Sequence, residues 1–106
     1  MTTEFPALSA LLGHDAHKVR LVARTFYRGV AMDLQRLVRA AATQEWRDVR
    51  KLAKRIEVDC LQLSEYDVAR AIHELGRVPG ERFADTYARH QPVINGLMHR
   101  VNEFSH

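Results

Sequence analysis

Apolar and polar residues alternate along this chain with the spacing of helices that bury one face. Between residues 43 and 63 the apolar positions are separated by steps of three or four, which is the period of an α-helix packed on one side. We therefore predict a core helix over this stretch. Its inward-facing residues are Trp46, Val49, Ala53, Ile56, Cys60 and Leu63.

The opposite face of this helix begins polar and ends partly apolar. At about 100° per residue, Lys54 projects outward while its neighbour Ala53 points into the core. Exposed apolar side chains ringed by charge often mark a contact surface, so we take this face as the candidate partner-binding site. Its residues are Arg47, Arg50, Lys54, Glu57, Val58 and Leu61. The alternative interpretation is an ordinary surface ion pair between Lys54 and Glu57.

Two helices are predicted ahead of this stretch. A proline in the first turn and the apolar spacing indicate a short helix over residues 5–12 that Gly13 ends. A long helix then runs from its N-cap Asp15 to about residue 42. Its apolar stripe consists of Val19, Val22, Ala23, Phe26, Val30, Leu34, Leu37, Val38 and Ala41. The next helix begins at once, with Thr43 as its N-cap, so the two helices should be antiparallel neighbours.

A fourth helix follows residue 63. Ser64 and Asp67 resemble a capping box at its start, and Gly76 is predicted as the C′ residue at its end. Its inward residues are Val68, Ala71, Ile72 and Leu75. Pro79 and Gly80 then predict a turn, because proline disfavours helix in the preceding residue and glycine tolerates positive φ.

The last predicted helix spans about residues 81–104. Pro92 lies inside it, and we expect a kink around residues 88–91 rather than two separate helices. Its core residues are Phe83, Tyr87, Ile94, Leu97, Met98, Val101 and Phe104. Since no stretch alternates like a strand, the sequence predicts an all-α fold, an antiparallel four-helix bundle with a short N-terminal helix.

Composition and length fit one domain over residues 1–106. The lone Cys60 cannot form an internal disulfide, and the first residues lack a basic start followed by a long apolar segment. No apolar run approaches the ~18 residues that span a bilayer. These features predict a cytoplasmic location without membrane contact. The net charge is +3, but basic and acidic residues are interspersed over several predicted helices, so we expect no nucleic-acid partner.

The stretch WRDVRKLAKRIEV, residues 46–58, resembles the active-site helix of histidine-phosphotransfer domains, the four-helix carriers of two-component phosphorelays. The pattern of that family reads leucine-alanine-histidine-x-hydrophobic-lysine-glycine, and Leu52, Ala53 and Ile56 match it without a gap. The similarity in helix lengths and patterning extends from about residue 8 to 104. The resemblance implies a four-helix scaffold that docks on the receiver domain of a response regulator or hybrid histidine kinase.

The three chemical positions of the pattern are changed. Lys54 stands where the family has its phosphoacceptor histidine, Glu57 replaces the lysine, and Val58 replaces the glycine. An exposed ammonium has no lone pair with which to attack a phosphoryl group, and a carboxylate beside it would repel the phosphoryl oxygens. We therefore expect a degenerate phosphotransfer module that is not an enzyme, needs no cofactor and modulates signalling by binding alone.

The histidines offer an alternative. A metal site at His14 and His17 is not expected, because no third ligand is evident. His73, His90 and His99 are expected to lie away from Lys54, and an active phosphotransfer protein that uses one of them is the rival hypothesis.

A further rival is a purely structural bundle. It would form a weak homodimer through Val58 and Leu61, the two apolar residues of the outward face. Cys60 lies on the core stripe, where it is expected to act as a small hydrophobic residue.

Overall fold

The computed structural model describes residues 5–105, and 84% of it is helical. Residues 1–4 and 106, which the single-domain prediction includes, lie outside the described residues. No strand occurs between residues 5 and 105. The helices are α1 (Pro6–Leu11), α2 (Ala16–Ala42), α3 (Trp46–Gln62), α4 (Tyr66–Leu75) and α5 (Phe83–Phe104), with a 3₁₀ turn at Gly80–Arg82.

The four longer helices pack in a ring. Helices α2 and α4 each lie against both α3 and α5, and consecutive helices run antiparallel because their connections are short. This arrangement is compatible with the predicted four-helix bundle. Helix α1 lies across one end, where the ring of Phe5 packs edge-on against Phe104 with centroids 5.6 Å apart. Nearby, Arg24 donates a hydrogen bond to the carbonyl of Ser105 (2.9 Å) and ties α2 to the end of α5.

The core confirms most of the predicted inward faces. Five of the six residues predicted to face inward on α3 are buried, and the sixth, Trp46, is half-buried. The four predicted inward residues of α4 are all buried. Two core predictions on α2 are wrong, since Val22 and Val38 are 37% and 44% exposed. They lie at the edges of the stripe, where neighbouring helices leave grooves. Asp33, which the prediction omitted, is 3% exposed.

The N-cap prediction for Thr43 is wrong. Thr43 is the C-cap of α2, and Gln44 after it has a φ of 58°. The N–H of Glu45 donates to the carbonyl of Ala40 (2.8 Å), and that of Gln44 to Ala41 (3.1 Å). This is a Schellman motif, so the connecting residues satisfy the last carbonyls of α2 before α3 begins.

The predicted capping box of α4 is also wrong. Ser64 has a φ of 59°, and the N-cap of α4 is Glu65, whose side chain makes no capping hydrogen bond. The N–H of Glu65 donates to the carbonyl of Cys60 (2.9 Å), and that of Ser64 to Leu61 (3.0 Å). The same Schellman geometry therefore ends α3 and leaves Ser64 unable to cap α4. The predicted end of α1 at Gly13 and the N-cap Asp15 are confirmed.

Two glycines after α4 serve packing rather than positive φ. The prediction of Gly76 as the C′ residue is wrong, because it is the C-cap of α4 with a φ of −77°. A Cβ there would lie 3.1 Å from the Cβ of Ala53. At Gly80 a Cβ would lie 2.4 Å from Cε2 of Trp46, so the indole occupies the space that a side chain would need. Gly80 does not use the positive φ that glycine tolerates. The turn itself is confirmed, and it seats Trp46 against Phe83.

Helix α5 continues through Pro92, so the prediction of one helix rather than two is confirmed. Among residues 5–105, no helix combines the length and the apolar character required to cross a bilayer.

Candidate functional site

The outward faces of α3 and α4 form a groove. It consists of two adjoining depressions of about 450 and 140 Å³, and Glu57 and His73 border both of them. We call this surface the α3/α4 groove. Its lining includes Arg50, Lys54, Glu57 and Leu61 on α3, Tyr66 and His73 on α4, and Arg77 after α4.

The predicted exposure pattern on α3 is confirmed. The side chain of Lys54 is 70% exposed, whereas Ala53 beside it is 2% exposed. Val58 and Leu61 are 41% and 44% exposed. Arg47 is exposed as well.

The six predicted binding residues divide into two groups. Arg50, Lys54, Glu57 and Leu61 line the α3/α4 groove. Arg47 and Val58 are exposed on α3 but outside the groove lining, on the ridge beside it.

Glu57 faces α4 rather than open solvent. Its side chain is 15% exposed, and its carboxylate lies 3.9 Å from Nζ of Lys54 and 3.2 Å from Nδ1 of His73. The expectation that His73 lies away from Lys54 is therefore wrong. The short connection between α3 and α4 folds them back on each other, which places residue 73 opposite residue 57.

The two ring nitrogens of His73 face different partners. Nη1 of Arg77 lies 3.3 Å from Nε2 of His73, and a guanidinium can only donate. In the tautomer that satisfies both contacts, Nε2 accepts from Arg77 and Nδ1 donates to Glu57. The imidazole thus lies between a guanidinium and a carboxylate.

The two ends of the groove differ in polarity. One end presents the cations Arg50, Lys54 and Arg77, with Glu57 as the single acid between them. The other end is bordered by Leu61 and by Tyr66, which is 59% exposed. The groove thus combines a net positive charge with an apolar patch.

The prediction from sequence missed the α4 side of this site. Tyr66, Arg70 and His73 recur at steps of four and three, which puts them on one helix face, and Arg77 continues this spacing just after the helix. That spacing and the short connection to α3 were the available signals.

Two other histidines among residues 5–105 contact neighbouring side chains. His90 bonds Glu74 across the α4/α5 contact (2.6 Å), and this hydrogen bond is the main cause that lowers the pKa of Glu74. Nδ1 of His14 lies 3.3 Å from Oγ of Ser9. Between residues 5 and 105, no three His, Cys, Asp or Glu side chains converge where they could hold a metal ion.

Cys60 is confirmed as a core residue. It is fully buried, and burial is the main cause that raises the pKa of its thiol to about 12. The thiolate, which is the reactive form, is therefore scarce at neutral pH.

Comparison with family models, with curated proteins and with solved structures finds no match for this chain. The resemblance to histidine-phosphotransfer domains consequently rests on the pattern around Leu52, Ala53 and Ile56 and on the helix patterning.

Proposed function

We propose that this chain is an antiparallel four-helix bundle of the histidine-phosphotransfer type that has lost the phosphoacceptor and binds a receiver domain through the α3/α4 groove. The observation that carries the proposal is Lys54, which is 70% exposed at the phosphoacceptor position of the matched pattern, beside a groove. The ring of α2 to α5 supports the scaffold.

The chemistry of the groove favours a partner of receiver type. Receiver domains that pair with this family present an acidic pocket beside an apolar patch. Arg50, Lys54 and Arg77 would face the acidic pocket, while Leu61 and Tyr66 would cover the apolar patch. Charge at the rim should mainly speed association, and the buried apolar contacts should hold the complex.

Position 54 argues against phosphate transfer from α3. An exposed lysine is an ammonium without a lone pair, so it cannot accept and return a phosphoryl group as histidine does. Glu57 is engaged by Lys54 and His73, which offsets its charge but leaves a carboxylate at the position where the family has a lysine.

Substitutions on α3 test the interface. Leu61→Asp should weaken binding to the receiver by at least about thirtyfold (~2 kcal/mol), because it buries a carboxylate without a partner. Arg47→Ala should change the affinity by less than about threefold, since the ridge position stays solvated and its charge is screened. The receiver would be identified by pull-down from the native cell lysate, and affinities measured by titration calorimetry.

The same experiment separates the binding module from its rivals. Equally small effects of Leu61→Asp and Arg47→Ala on receiver affinity would show that the receiver binds another surface. Light scattering on the protein alone tests the homodimer through Val58 and Leu61, and a dimer dissociated by Leu61→Asp would favour the structural bundle.

A second candidate function is phosphate transfer by His73, which the geometry around this side chain favours over the other histidines. Nδ1 of His73 donates to Glu57, and its Nε2 lone pair accepts from Arg77. When Arg77 turns to bind the phosphoryl oxygens instead, this lone pair becomes free to attack phosphorus. In this reaction the Nε2–P bond would form as the P–O bond to the receiver aspartate breaks, and the aspartate would leave as a carboxylate.

Labelled phosphate decides between the two functions. After incubation with a receiver charged by labelled acetyl phosphate, a phosphotransfer protein would carry an acid-labile, alkali-stable label. His73→Gln should abolish this label and His99→Gln should preserve it. Receiver binding without any label on the protein would leave the binding module as the function.

A further inference from the structure

A second groove lies between α2 and α3, on the side of α3 away from α4. A depression of about 690 Å³ lies near α1, and another of about 430 Å³ lies near the α2–α3 connection. We call the two together the α2/α3 groove. Receiver binding at the α3/α4 groove makes no use of it, so its properties need a separate explanation.

The end near α1 is mostly apolar and open, with Asp59 as the one acid among the described residues of its lining. Leu11, Leu21 and Val22 line it and are 80%, 45% and 37% exposed. Gly29 lies on its α2 wall, and a Cβ there would meet no atom within 4 Å. A glycine on an open helix face lets another backbone approach closely. This end therefore offers apolar contact and room for a second element.

The end near the connection is basic. Arg36, Arg39, Lys51 and Arg55 line it, against the two acids Glu45 and Asp48. The buried carboxylate of Asp33 lies 3.5 Å from Arg55 and 3.9 Å from Arg36, yet these two side chains remain 63% and 54% exposed. One carboxylate shared by two exposed guanidiniums leaves one net positive charge at the surface.

Helix α2 as a whole is strongly basic. Asp33 is its one acid, and it is buried. The cations of α2 are Lys18, Arg20, Arg24, Arg28, Arg36 and Arg39. A second copy of this chain that laid its own α2 in the groove would bring like charges together, which disfavours that occupant.

We infer that the α2/α3 groove binds an acidic amphipathic helix of a partner protein. Two antiparallel helices with depressions in line between them form the kind of trough in which a third helix lies. The apolar face of the incoming helix would cover Leu21 and Val22 and pass over Gly29. Its acidic residues would meet the basic end at Arg39 and Lys51.

A designed peptide tests this inference directly. The probe is a helical peptide of about 18 residues, which spans roughly 27 Å, with leucines at helical spacing and glutamates elsewhere. The control peptide carries lysine at every glutamate position. Fluorescence polarisation should show saturable binding of the acidic peptide, at least tenfold tighter than that of the basic one.

Variants of the protein locate the binding. Gly29→Leu fills the open wall of the groove and should weaken binding of the acidic peptide at least tenfold. Circular dichroism should show that the helices of this variant are intact. The double variant Arg39→Glu with Lys51→Glu should also weaken binding of the acidic peptide at least tenfold. Its matched control, Arg20→Glu with Arg82→Glu, changes the net charge equally at exposed positions outside the groove lining and should have less than a threefold effect.

Several results would overturn the inference. The first two are a lack of saturable binding of the acidic peptide and equally tight binding of the basic peptide. The others are equal effects of the two double variants on binding of the acidic peptide, and unchanged binding of that peptide by the Gly29→Leu variant. Tighter binding to duplex DNA or to phosphatidylserine vesicles, unchanged by Gly29→Leu, would assign the basic surface to those ligands instead.

Discussion

At the scale of single residues, the least expected feature is the pair of carboxylates between α2 and α3. Asp33 is buried beside Arg55, and Asp59 lies near both. Val30, Asp33 and Leu37 follow the same helical spacing, but the predicted core stripe omitted Asp33 because it contained only apolar residues. The spacing along α2 is enough to show that Asp33 faces the core. The ion pair with Arg55 that makes its burial tolerable depends on how α3 packs against α2.

Asp59 yields a prediction about pH. Burial, and then the charge of Asp33, raise the pKa of Asp59 above its ordinary value, while Arg55 acts in the opposite direction. Since the folded-state pKa exceeds the unfolded one, the ionised carboxylate costs stability above the folded-state pKa, and this cost is absent below the unfolded value. Asp59→Asn should therefore raise the melting temperature at pH 7.

The comparison with low pH checks the cause. Below the ordinary pKa of 3.8, where the wild-type carboxyl is also neutral, the melting temperatures of the two proteins should converge. Thermal unfolding followed by circular dichroism measures both conditions. A variant that is less stable at pH 7 would show that Asp59 is stabilising as an anion.

At the scale of elements, the apolar periodicity predicted the five α-helices between residues 5 and 105, but the residues that end or cap these helices were harder to predict. Gly13 signalled the end of α1 because glycine adopts positive φ readily. Gln44 and Ser64 adopt the same conformation without that signal. Thr43 and Ser64 have good capping side chains, but backbone closure of the preceding helix determined their roles.

Two glycines form a matched test of this packing. Gly80→Ala should lower the free energy of unfolding by about 1–3 kcal/mol, because its Cβ would overlap the indole of Trp46. Gly96→Ala adds the same methyl group inside α5 where no atom lies within 4 Å, and it should raise that free energy by about 0.5–1 kcal/mol. Urea denaturation measures both. A neutral Gly80→Ala would show that the turn moves freely away from α3.

At the scale of the whole molecule, short connections predicted which helices are neighbours. They did not predict the grooves, which depend on how far each helix extends along its neighbour. Helix α2 has 27 residues and α4 has 10, so parts of the longer helices lack a complete set of neighbours. The α3 half of the candidate site followed from spacing alone, whereas the proximity of His73 to Glu57 required the packed structure.

The proposal that a receiver domain binds the α3/α4 groove is tested most directly by nuclear magnetic resonance. Isotope-labelled protein would be titrated with the unlabelled receiver found by pull-down, and backbone amide shifts followed. We predict that the perturbed amides cluster around Lys54, Leu61 and His73, with those around Gly29 unchanged. Perturbations confined to the surroundings of Gly29, or none at a saturating receiver concentration, would contradict the account.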